Sequence, residues 1–246
     1  MSIFIKPVQL SSIEALVFQG FEEQTLKLTN KIDGDPMKND IKALFLDIGG
    51  VLLTNGWDHI ARKKAATYFK LEWVEMEERH GLNFTTFEEG KLTLEDYLIR
   101  TVFYEERPFT REQFQEFMFA QSRAFPEMIK LIIKLKARYG LKIAVVSNEG
   151  RELNNYRIQK FKLNSFVDFF VSSCFVHLRK PDAEIFQLAV DLAQVKTEQI
   201  LYIENTLMFT QIAENLGIRS ILHLDYPSTS TKMASFGLHH YEGVSH

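Results

Sequence analysis

The 246-residue sequence contains a single cysteine, Cys174. One cysteine cannot form an intrachain disulfide, which favours a reducing compartment and a buried thiol. No apolar run approaches the ~18 residues that a membrane-spanning helix needs. The first residues lack a basic segment followed by a long apolar stretch, so we expect no signal peptide. These absences predict a soluble, cytoplasmic protein.

The sequence also lacks an excess of basic charge. Lysine and arginine total 29 against 32 aspartates and glutamates, which gives a formal net charge of -3. Nucleic-acid-binding domains usually carry a basic stripe, so we expect neither a nucleic-acid partner nor a membrane partner. The Arg62-Lys63-Lys64 trio is interpreted as an exposed helix face, with anion steering as the alternative, and the histidines of the tail as solvated. Nothing in the sequence predicts the oligomeric state.

What the sequence does contain is a series of short apolar runs separated by helical stretches. The runs are too short for helices and are typical of buried strands. They are Ile41–Leu46, Lys142–Val146, Phe169–Ser172, Ile200–Ile203 and Ser220–Leu222. Helices are expected from Pro126 to Gly140, from Pro181 to about Gln194 and from Leu207 to Leu216. The alternation predicts an α/β fold with a Rossmann-like, doubly wound parallel sheet.

Residues 57–125 interrupt this alternation. They contain no convincing strand, and Thr93 with Asp96 and Thr110 with Gln113 resemble capping pairs that open helices. The aromatic residues of the segment, Phe84 among them, are interpreted as the core of a small helical bundle. We therefore divide the chain into an N-terminal extension (1–39), a discontinuous α/β core (40–56 and 126–232), a helical cap (57–125) and a C-terminal tail (233–246).

Polar side chains follow the predicted strands. Asp47 ends the first, Ser147-Asn148 the second and Glu204-Asn205 the fourth, while Lys180 precedes the helix that starts at Pro181. In an open parallel sheet, ligands bind beyond the carboxyl ends of the strands. Each residue alone has an ordinary explanation as a turn, a cap or a solvated loop. Their order and spacing, which leave room for one helical insert and then one strand–helix unit at a time, predict a shared site.

Four segments resemble the motifs of the haloacid dehalogenase superfamily. Residues 44–52 resemble motif I, residues 145–148 motif II, residues 179–182 motif III and residues 202–205 motif IV. The insert lies where subfamily I of that superfamily carries its helical cap. The resemblance covers about residues 40–225.

The resemblance implies a Mg²⁺-dependent phosphatase that acts on a small phosphorylated metabolite. Asp47 would be the nucleophile that forms an aspartyl-phosphate, Ser147 would donate a hydrogen bond to the phosphoryl group, and Lys180 would offset its charge. The implied phosphate-binding residues are Gly49, Gly50 and Asn148. The implied metal ligands are Asp47, the carbonyl of Gly49, Asn205 and Glu204.

Two positions depart from the family pattern. Phosphatases of the family commonly carry an acid–base aspartate two residues after the nucleophile, where this chain has Gly49; losing such a group typically costs ~10²–10⁴ in rate. Asp58 or His59 at the mouth of the cap are the candidate substitutes. Asn205 replaces a usual aspartate and brings no charge to the metal, which predicts a lower Mg²⁺ affinity.

Two other functions therefore stay open. The first is a weakly active or inactive protein that binds a phosphorylated ligand through the same fold. The second is a metal-free 2-haloacid dehalogenase, which Gly49 permits, although Phe209 stands where that branch places an aspartate. The identity of the substrate is not readable from the cap.

Overall fold

The structure is a computed structural model, and it describes residues 40–240. The predicted N-terminal extension and the end of the tail, including His246, lie outside the described residues. Among the helices between residues 40 and 240, none combines the length and the apolar character that crossing a bilayer requires.

A five-stranded, all-parallel sheet forms the centre of the fold, with strand order β3-β2-β1-β4-β5. The strands are β1 (Ala43–Leu46), β2 (Lys142–Ser147), β3 (Phe169–Ser172), β4 (Ile200–Glu204) and β5 (Arg219–Leu222). Leu46 pairs with Val145 of β2 and with Ile203 of β4, so the carboxyl ends of the three central strands are aligned. The predicted doubly wound α/β fold is confirmed.

Strand β1 is buried on both faces, which explains its continuous apolar sequence. Because successive side chains alternate across a strand, Leu44 and Leu46 join one hydrophobic cluster and Ala43 and Phe45 join another. The sheet therefore lies between two layers of helices.

The helices, in chain order, are α1 (His59–Phe69), α2 (Trp73–Glu88), α3 (Leu94–Thr101), α4 (Arg111–Ala120), α5 (Pro126–Tyr139), α6 (Arg151–Lys160), α7 (Ser173–Val176), α8 (Ala183–Ala193), α9 (Leu207–Asn215) and α10 (Tyr226–Ser235). Helix α5 begins with Pro126 and ends at the left-handed Gly140 (φ 64°), as the sequence predicts. Helix α8 begins at Ala183 rather than at Pro181, because Asp182 takes the extended N-cap conformation.

Helices α1 to α4 form the insert between β1 and β2 and enclose a separate hydrophobic cluster. Both predicted caps are confirmed: Thr93 accepts from the amide of Asp96, and Thr110 forms a capping box with Gln113. Most of the predicted core aromatics are packed in or against this cluster, but Phe84 lines a cavity instead. The division at residues 57 and 125 stays a prediction.

The C-terminal end of α2 packs tightly against the core. A β-carbon on Gly90 would lie 2.3 Å from the carbonyl oxygen of Cys174, and one on Gly150 would lie 2.1 Å from the ring of Phe87. The hydroxyl of Ser173 donates to the carbonyl of Glu88 at 2.6 Å. Since Gly150 and Ser173 follow β2 and β3, these contacts hold the insert at the carboxyl edge of the sheet.

Candidate functional site

Four side chains meet at the carboxyl edge of the sheet, and we call Asp47, Ser147, Lys180 and Glu204 the floor of the site. Nζ of Lys180 lies 3.3 Å from Oδ1 of Asp47 and 2.6 Å from Oε2 of Glu204. The Ser147 side chain hydrogen-bonds to the Asp47 carboxylate. Sequence separations of up to 157 residues, from Asp47 to Glu204, are thus closed by the parallel sheet.

The floor is almost inaccessible to solvent, and its electrostatics follow from that. Burial raises the pKa of Asp47 to about 6, although the ammonium of Lys180 and the hydrogen bond from Ser147 act to lower it. Burial by itself would lower the pKa of Lys180, but the carboxylates of Asp47 and Glu204 raise it above its usual value. A compact buried cation is therefore held beside two carboxylates.

Further contacts fix the position of Lys180. Its ammonium donates to the hydroxyl of Tyr202 at 3.1 Å and lies 4.9 Å from the centroid of the Phe209 ring. The Asn148 side chain bonds both the amide (2.9 Å) and the carbonyl (2.8 Å) of Lys180. Because both ends of that side chain are engaged, Asn148 positions Lys180, and its contact with phosphate stays a prediction.

The loop after β1 is shaped by Gly50. Its φ is +71°, and a β-carbon there would lie 2.1 Å from Nδ2 of Asn205, so only glycine fits. Gly49 differs, because its φ is not positive and the nearest neighbour of a β-carbon would be Asn55 at 3.5 Å, an ordinary contact. A side chain at position 49 is therefore sterically permitted.

The four residues predicted to hold a metal lie together, but the carboxylate of Glu204 is already engaged. One end of the Asn205 amide is 3.2 Å from the Gly49 carbonyl oxygen and 2.9 Å from Oε1 of Glu204. With nitrogen on that side these are hydrogen bonds, and with oxygen there the three oxygens face one another as they would around a cation. Glu204 is fully buried and already accepts from Lys180, Tyr202 and the amide of Thr206. The available oxygens are thus those of Asp47, Gly49 and Asn205.

This set fits a hard cation such as Mg²⁺, which takes oxygen ligands and keeps several waters. Within residues 40–240 no group of three or more histidine, cysteine, aspartate or glutamate side chains is arranged to hold a metal. A metal at this edge would therefore depend on Asp47, a backbone carbonyl and an amide, and its lower affinity stays a prediction.

A cavity of about 400 Å³ separates the floor from the insert. Its upper side is formed by five residues that we call the roof: Trp57, Arg62, His80, Phe84 and Glu88. Asp58 also lines the cavity, whereas the side chain of His59 is 67% exposed and lies outside it. Of the two candidate substitutes for the missing acid, only Asp58 is placed where a substrate would bind.

The arginines near the roof are all paired. Arg62 donates to both oxygens of Glu77 at 2.9 and 2.5 Å, and Arg179 donates to Oε2 of Glu88 at 2.7 Å. The interpretation of the Arg62-Lys63-Lys64 trio as an exposed face is wrong for Arg62, which is buried, and right for the two lysines. Arg62 lies on the buried face of α1, whereas Lys63 and Lys64 lie on its exposed face.

A further ion pair lines the cavity below the start of the insert. Arg157 is buried, donates to Oε2 of Glu149 at 2.6 Å and also donates to the carbonyl of Thr54. Burial raises the pKa of Glu149 to about 7, and Arg157 acts to lower it. The pair ties α6 to the loop that leads from β1 into the insert.

Sequence reasoning missed several of these residues. Tyr202 stands inside the segment that resembles motif IV, and that position was the one available signal for it. Glu149 directly follows the segment that resembles motif II, but nothing in its neighbourhood indicates burial. His80, Glu88 and Arg157 lie on ordinary amphipathic helices, where no local pattern separates a cavity-lining side chain from a solvated one.

Comparison with known proteins places this geometry in a family. Residues 41–217 match the haloacid dehalogenase-like hydrolases. The chain is 28% identical over 202 residues to glyceraldehyde 3-phosphate phosphatase of Methanothermobacter thermautotrophicus, covering 74% of this chain and 85% of that protein. It is 28% identical over 122 residues to mouse acyl-CoA dehydrogenase family member 10, covering 48% of this chain but 11% of that protein.

Among solved structures, the fold is similar to the haloacid dehalogenase family enzyme BT-2542 from Bacteroides thetaiotaomicron in complex with magnesium and inorganic phosphate. The TM-score is 0.64 at 19% identity, with 77% of this chain and 98% of that chain covered. Since the family match extends over well more than half of the chain, the protein belongs to the haloacid dehalogenase-like hydrolases.

Proposed function

We propose that this hydrolase is a Mg²⁺-dependent phosphatase of a small phosphorylated metabolite, with Asp47 as its nucleophile. The observation that carries the proposal is the 3.3 Å contact between Asp47 and Lys180 at the base of the cavity between the sheet edge and the insert. An aspartate nucleophile beside a fixed buried cation is what a transferring phosphoryl group requires, because its catalysis rests on positioning and charge stabilisation.

In this mechanism an oxygen of Asp47 attacks phosphorus, and the bond from phosphorus to the ester oxygen breaks. The leaving alkoxide or phenoxide departs into the cavity, and water then cleaves the aspartyl-phosphate to release phosphate and restore Asp47. Ser147, bonded to Asp47, orients the attacking oxygen and lies beside the incoming phosphoryl group. Lys180 offsets the charge that develops on the phosphoryl oxygens.

Mg²⁺, held by Asp47, the Gly49 carbonyl and Asn205, would neutralise phosphoryl charge and support in-line geometry. Two similar proteins support the proposal: one is a phosphatase, and the other was solved with magnesium and inorganic phosphate. Glu204 is left out of the proposed ligand set, because its oxygens are engaged by Lys180, Tyr202 and Thr206.

The proposal includes a limit on the leaving group. Gly49 supplies no acid, and after the nucleophile Asp47 itself, Asp58 is the carboxylate nearest in sequence that lines the cavity. Its side chain accepts from the amide of Ala61 as the N-cap of α1, which keeps it oriented. We therefore expect good leaving groups, which need no protonation, to be hydrolysed faster than alkyl phosphates.

The test is phosphate release from an aryl phosphate, with and without Mg²⁺, for the wild type and for Asp47→Asn. The proposal predicts metal-dependent release that the substitution lowers by at least ~10⁴-fold. Asp58→Asn, assayed with an alkyl phosphate, shows whether that carboxylate assists departure of the leaving group.

Two other outcomes point to other functions. Absence of release over a broad panel of phosphate esters would favour a phosphate-binding protein without turnover, the reading that Gly49 and Asn205 support. Release of halide from 2-haloacids without metal would favour a dehalogenase.

A further inference from the structure

One face of α2 points three different side chains into the cavity. His80, Phe84 and Glu88 follow one another at intervals of four residues, which places them on the same side of a helix, and all three line the cavity. We call these three residues the α2 strip. From one end to the other it offers an imidazole, an aromatic ring and a carboxylate.

The hydrogen bonds around His80 define what its imidazole offers. Nε1 of Trp57, which can only donate, lies 3.0 Å from the hydroxyl of Tyr97, and that hydroxyl lies 2.8 Å from Nδ1 of His80. The Tyr97 hydroxyl accepts from Trp57 and directs its own proton to Nδ1, which leaves the ring proton of His80 on Nε2. Burial lowers the pKa of His80 to about 4, so the ring is neutral near pH 7. His80 thus presents an uncharged N–H donor.

At the other end of the strip, Glu88 presents an acceptor. Its Oε2 takes both N–H bonds from Arg179, at 3.2 and 2.7 Å. No hydrogen bond to Oε1 occurs within the part of the chain that the structure describes. A carboxylate oxygen with spare lone pairs therefore faces the cavity.

Cations that would bind an anionic substituent at this level are already engaged. Each of the three arginines that line the cavity is paired with a glutamate: Arg62 with Glu77, Arg157 with Glu149 and Arg179 with Glu88. Lys64 and Arg123 line a neighbouring depression of about 280 Å³ rather than this cavity. A carboxylate on a short leaving group would meet Glu88 without a free counter-charge.

Building on the proposed function, we propose that the α2 strip selects an uncharged, hydroxylated leaving group, so that the substrate is a small phosphorylated polyol or sugar and not a phosphorylated carboxylic acid. The two ends of the strip are eight residues apart, which is about 12 Å along a helix, and the Phe84 ring lies between the His80 ring and the guanidinium of Arg179, which pairs with Glu88. A hydroxyl of a three-carbon leaving group therefore donates to Oε1 of Glu88, and a hydroxyl of a longer sugar also accepts from Nε2 of His80. The cavity volume of about 400 Å³ is near the lower end for small-molecule sites, which suits a compact ligand.

The experiment compares glycerol 3-phosphate with 3-phosphoglycerate, which differ by a hydroxymethyl group against a carboxylate. The expected ratio of kcat/KM is about tenfold or more in favour of glycerol 3-phosphate, because a site built around buried polar groups discriminates by hydrogen bonding and charge. Release from an aryl phosphate is measured in parallel, so that loss of all turnover contradicts the proposed function and a wrong ratio contradicts the selectivity alone.

Substitutions in the α2 strip test whether its side chains cause the expected ratio of kcat/KM. Glu88→Gln removes the negative charge and frees Arg179, so the ratio should move toward 3-phosphoglycerate. His80→Ala should raise KM for a hexose phosphate, which is long enough to reach His80, by about 3- to 10-fold, the loss of one hydrogen bond, and His80→Gln, which keeps an N–H donor, should restore part of it. Glu78→Gln, an exposed position on the same helix, is the matched control and should leave the ratio unchanged.

Binding provides the same test without turnover. Calorimetric titration of Asp47→Asn with each compound in the presence of Mg²⁺ should show tighter binding of glycerol 3-phosphate. Equal or reversed preference in wild-type kcat/KM or in this titration, or a ratio that Glu88→Gln leaves unchanged, would overturn the proposal.

Discussion

The floor and the roof side of the cavity both contain charged side chains, but these side chains are paired differently in the two regions. In the floor, one buried ammonium, Lys180, lies between the carboxylates of Asp47 and Glu204, so a charge is held ready for a transferring group. On the roof side of the cavity, Arg62 is paired with Glu77 and Arg179 with Glu88, and the histidine is neutral near pH 7. In the proposed mechanism the floor therefore supplies charge to the phosphoryl group, whereas the roof side offers the leaving group no unpaired charge.

Gly49→Asp tests the floor with the largest expected effect. The position tolerates a side chain, since a β-carbon would lie 3.5 Å from its nearest neighbour. A carboxyl group there would supply the acid that the floor lacks, so turnover of alkyl phosphates should rise by about 10²-fold or more. Aryl phosphates should gain less, because their leaving group needs no proton.

Gly49→Asn is the matched control, since it has the same size and no carboxyl proton. If both variants fold and neither raises the rate for alkyl phosphates, the floor is not limited by a missing acid.

The second test breaks one ion pair in each region. Lys180→Met leaves two buried carboxylates without their cation and should lower the free energy of unfolding by about 3–5 kcal/mol. Arg179→Met affects a more exposed pair, with side chains 17% and 26% accessible, and should cost about 1–2 kcal/mol. Urea denaturation of both variants gives the values, and equal losses would remove the distinction between floor and roof.

The third test measures how stability depends on pH, and it concerns the buried pair of Glu149 and Arg157. The pKa of Glu149 is about 7 in the folded protein against an ordinary value of 4.5. A raised folded pKa means that the stabilising contribution is complete below the ordinary pKa and is lost as pH rises through about 7. Between about pH 5 and pH 8 this residue should lower the free energy of unfolding by about 1–3 kcal/mol.

Glu149→Gln should remove that part of the slope, because an amide does not ionise in this pH range. Unfolding curves at a series of pH values check this. An unchanged slope would mean that Glu149 is ionised at little cost despite its burial.

The smallest expected effect is a difference in stability between alanine substitutions at Gly49 and Gly50, the two glycines of the loop after β1. Gly50→Ala brings a β-carbon into the Asn205 side chain at a positive φ and should cost about 1–3 kcal/mol of stability. Gly49→Ala meets neither obstacle and should change stability by well under 1 kcal/mol. Thermal unfolding of the two variants suffices, and the reverse order would contradict the local geometry.

The floor was predictable because topology determines it. The apolar segment before Asp47 is too short for a helix, and the carboxyl ends of parallel strands meet at one edge, so polar residues after β1, β2 and β4 had to converge. The hydrogen bonds that Glu204 makes within the floor were not predictable. Glu204 accepts hydrogen bonds from Lys180, Tyr202 and Thr206, and no spacing in the sequence reveals these contacts.

The roof was not predictable for a physical reason. A helix that lines a cavity and a helix that packs in a core have the same periodicity, so Phe84 was interpreted as core although it faces the ligand space. Arg62 was interpreted as exposed because two exposed lysines follow it. Arg157 contacts Thr54 across 103 positions in sequence, and such long-range pairing leaves no local trace.

The most direct test of the central claim is to look for the covalent intermediate on Asp47. The protein is mixed with an aryl phosphate and Mg²⁺, quenched in acid within milliseconds, digested and mapped by mass spectrometry. The account predicts a peptide containing Asp47 that carries one additional phosphoryl group and is absent from Asp47→Asn. Rapid phosphate release with no phosphoryl group on that peptide, or with one on another residue, would contradict it.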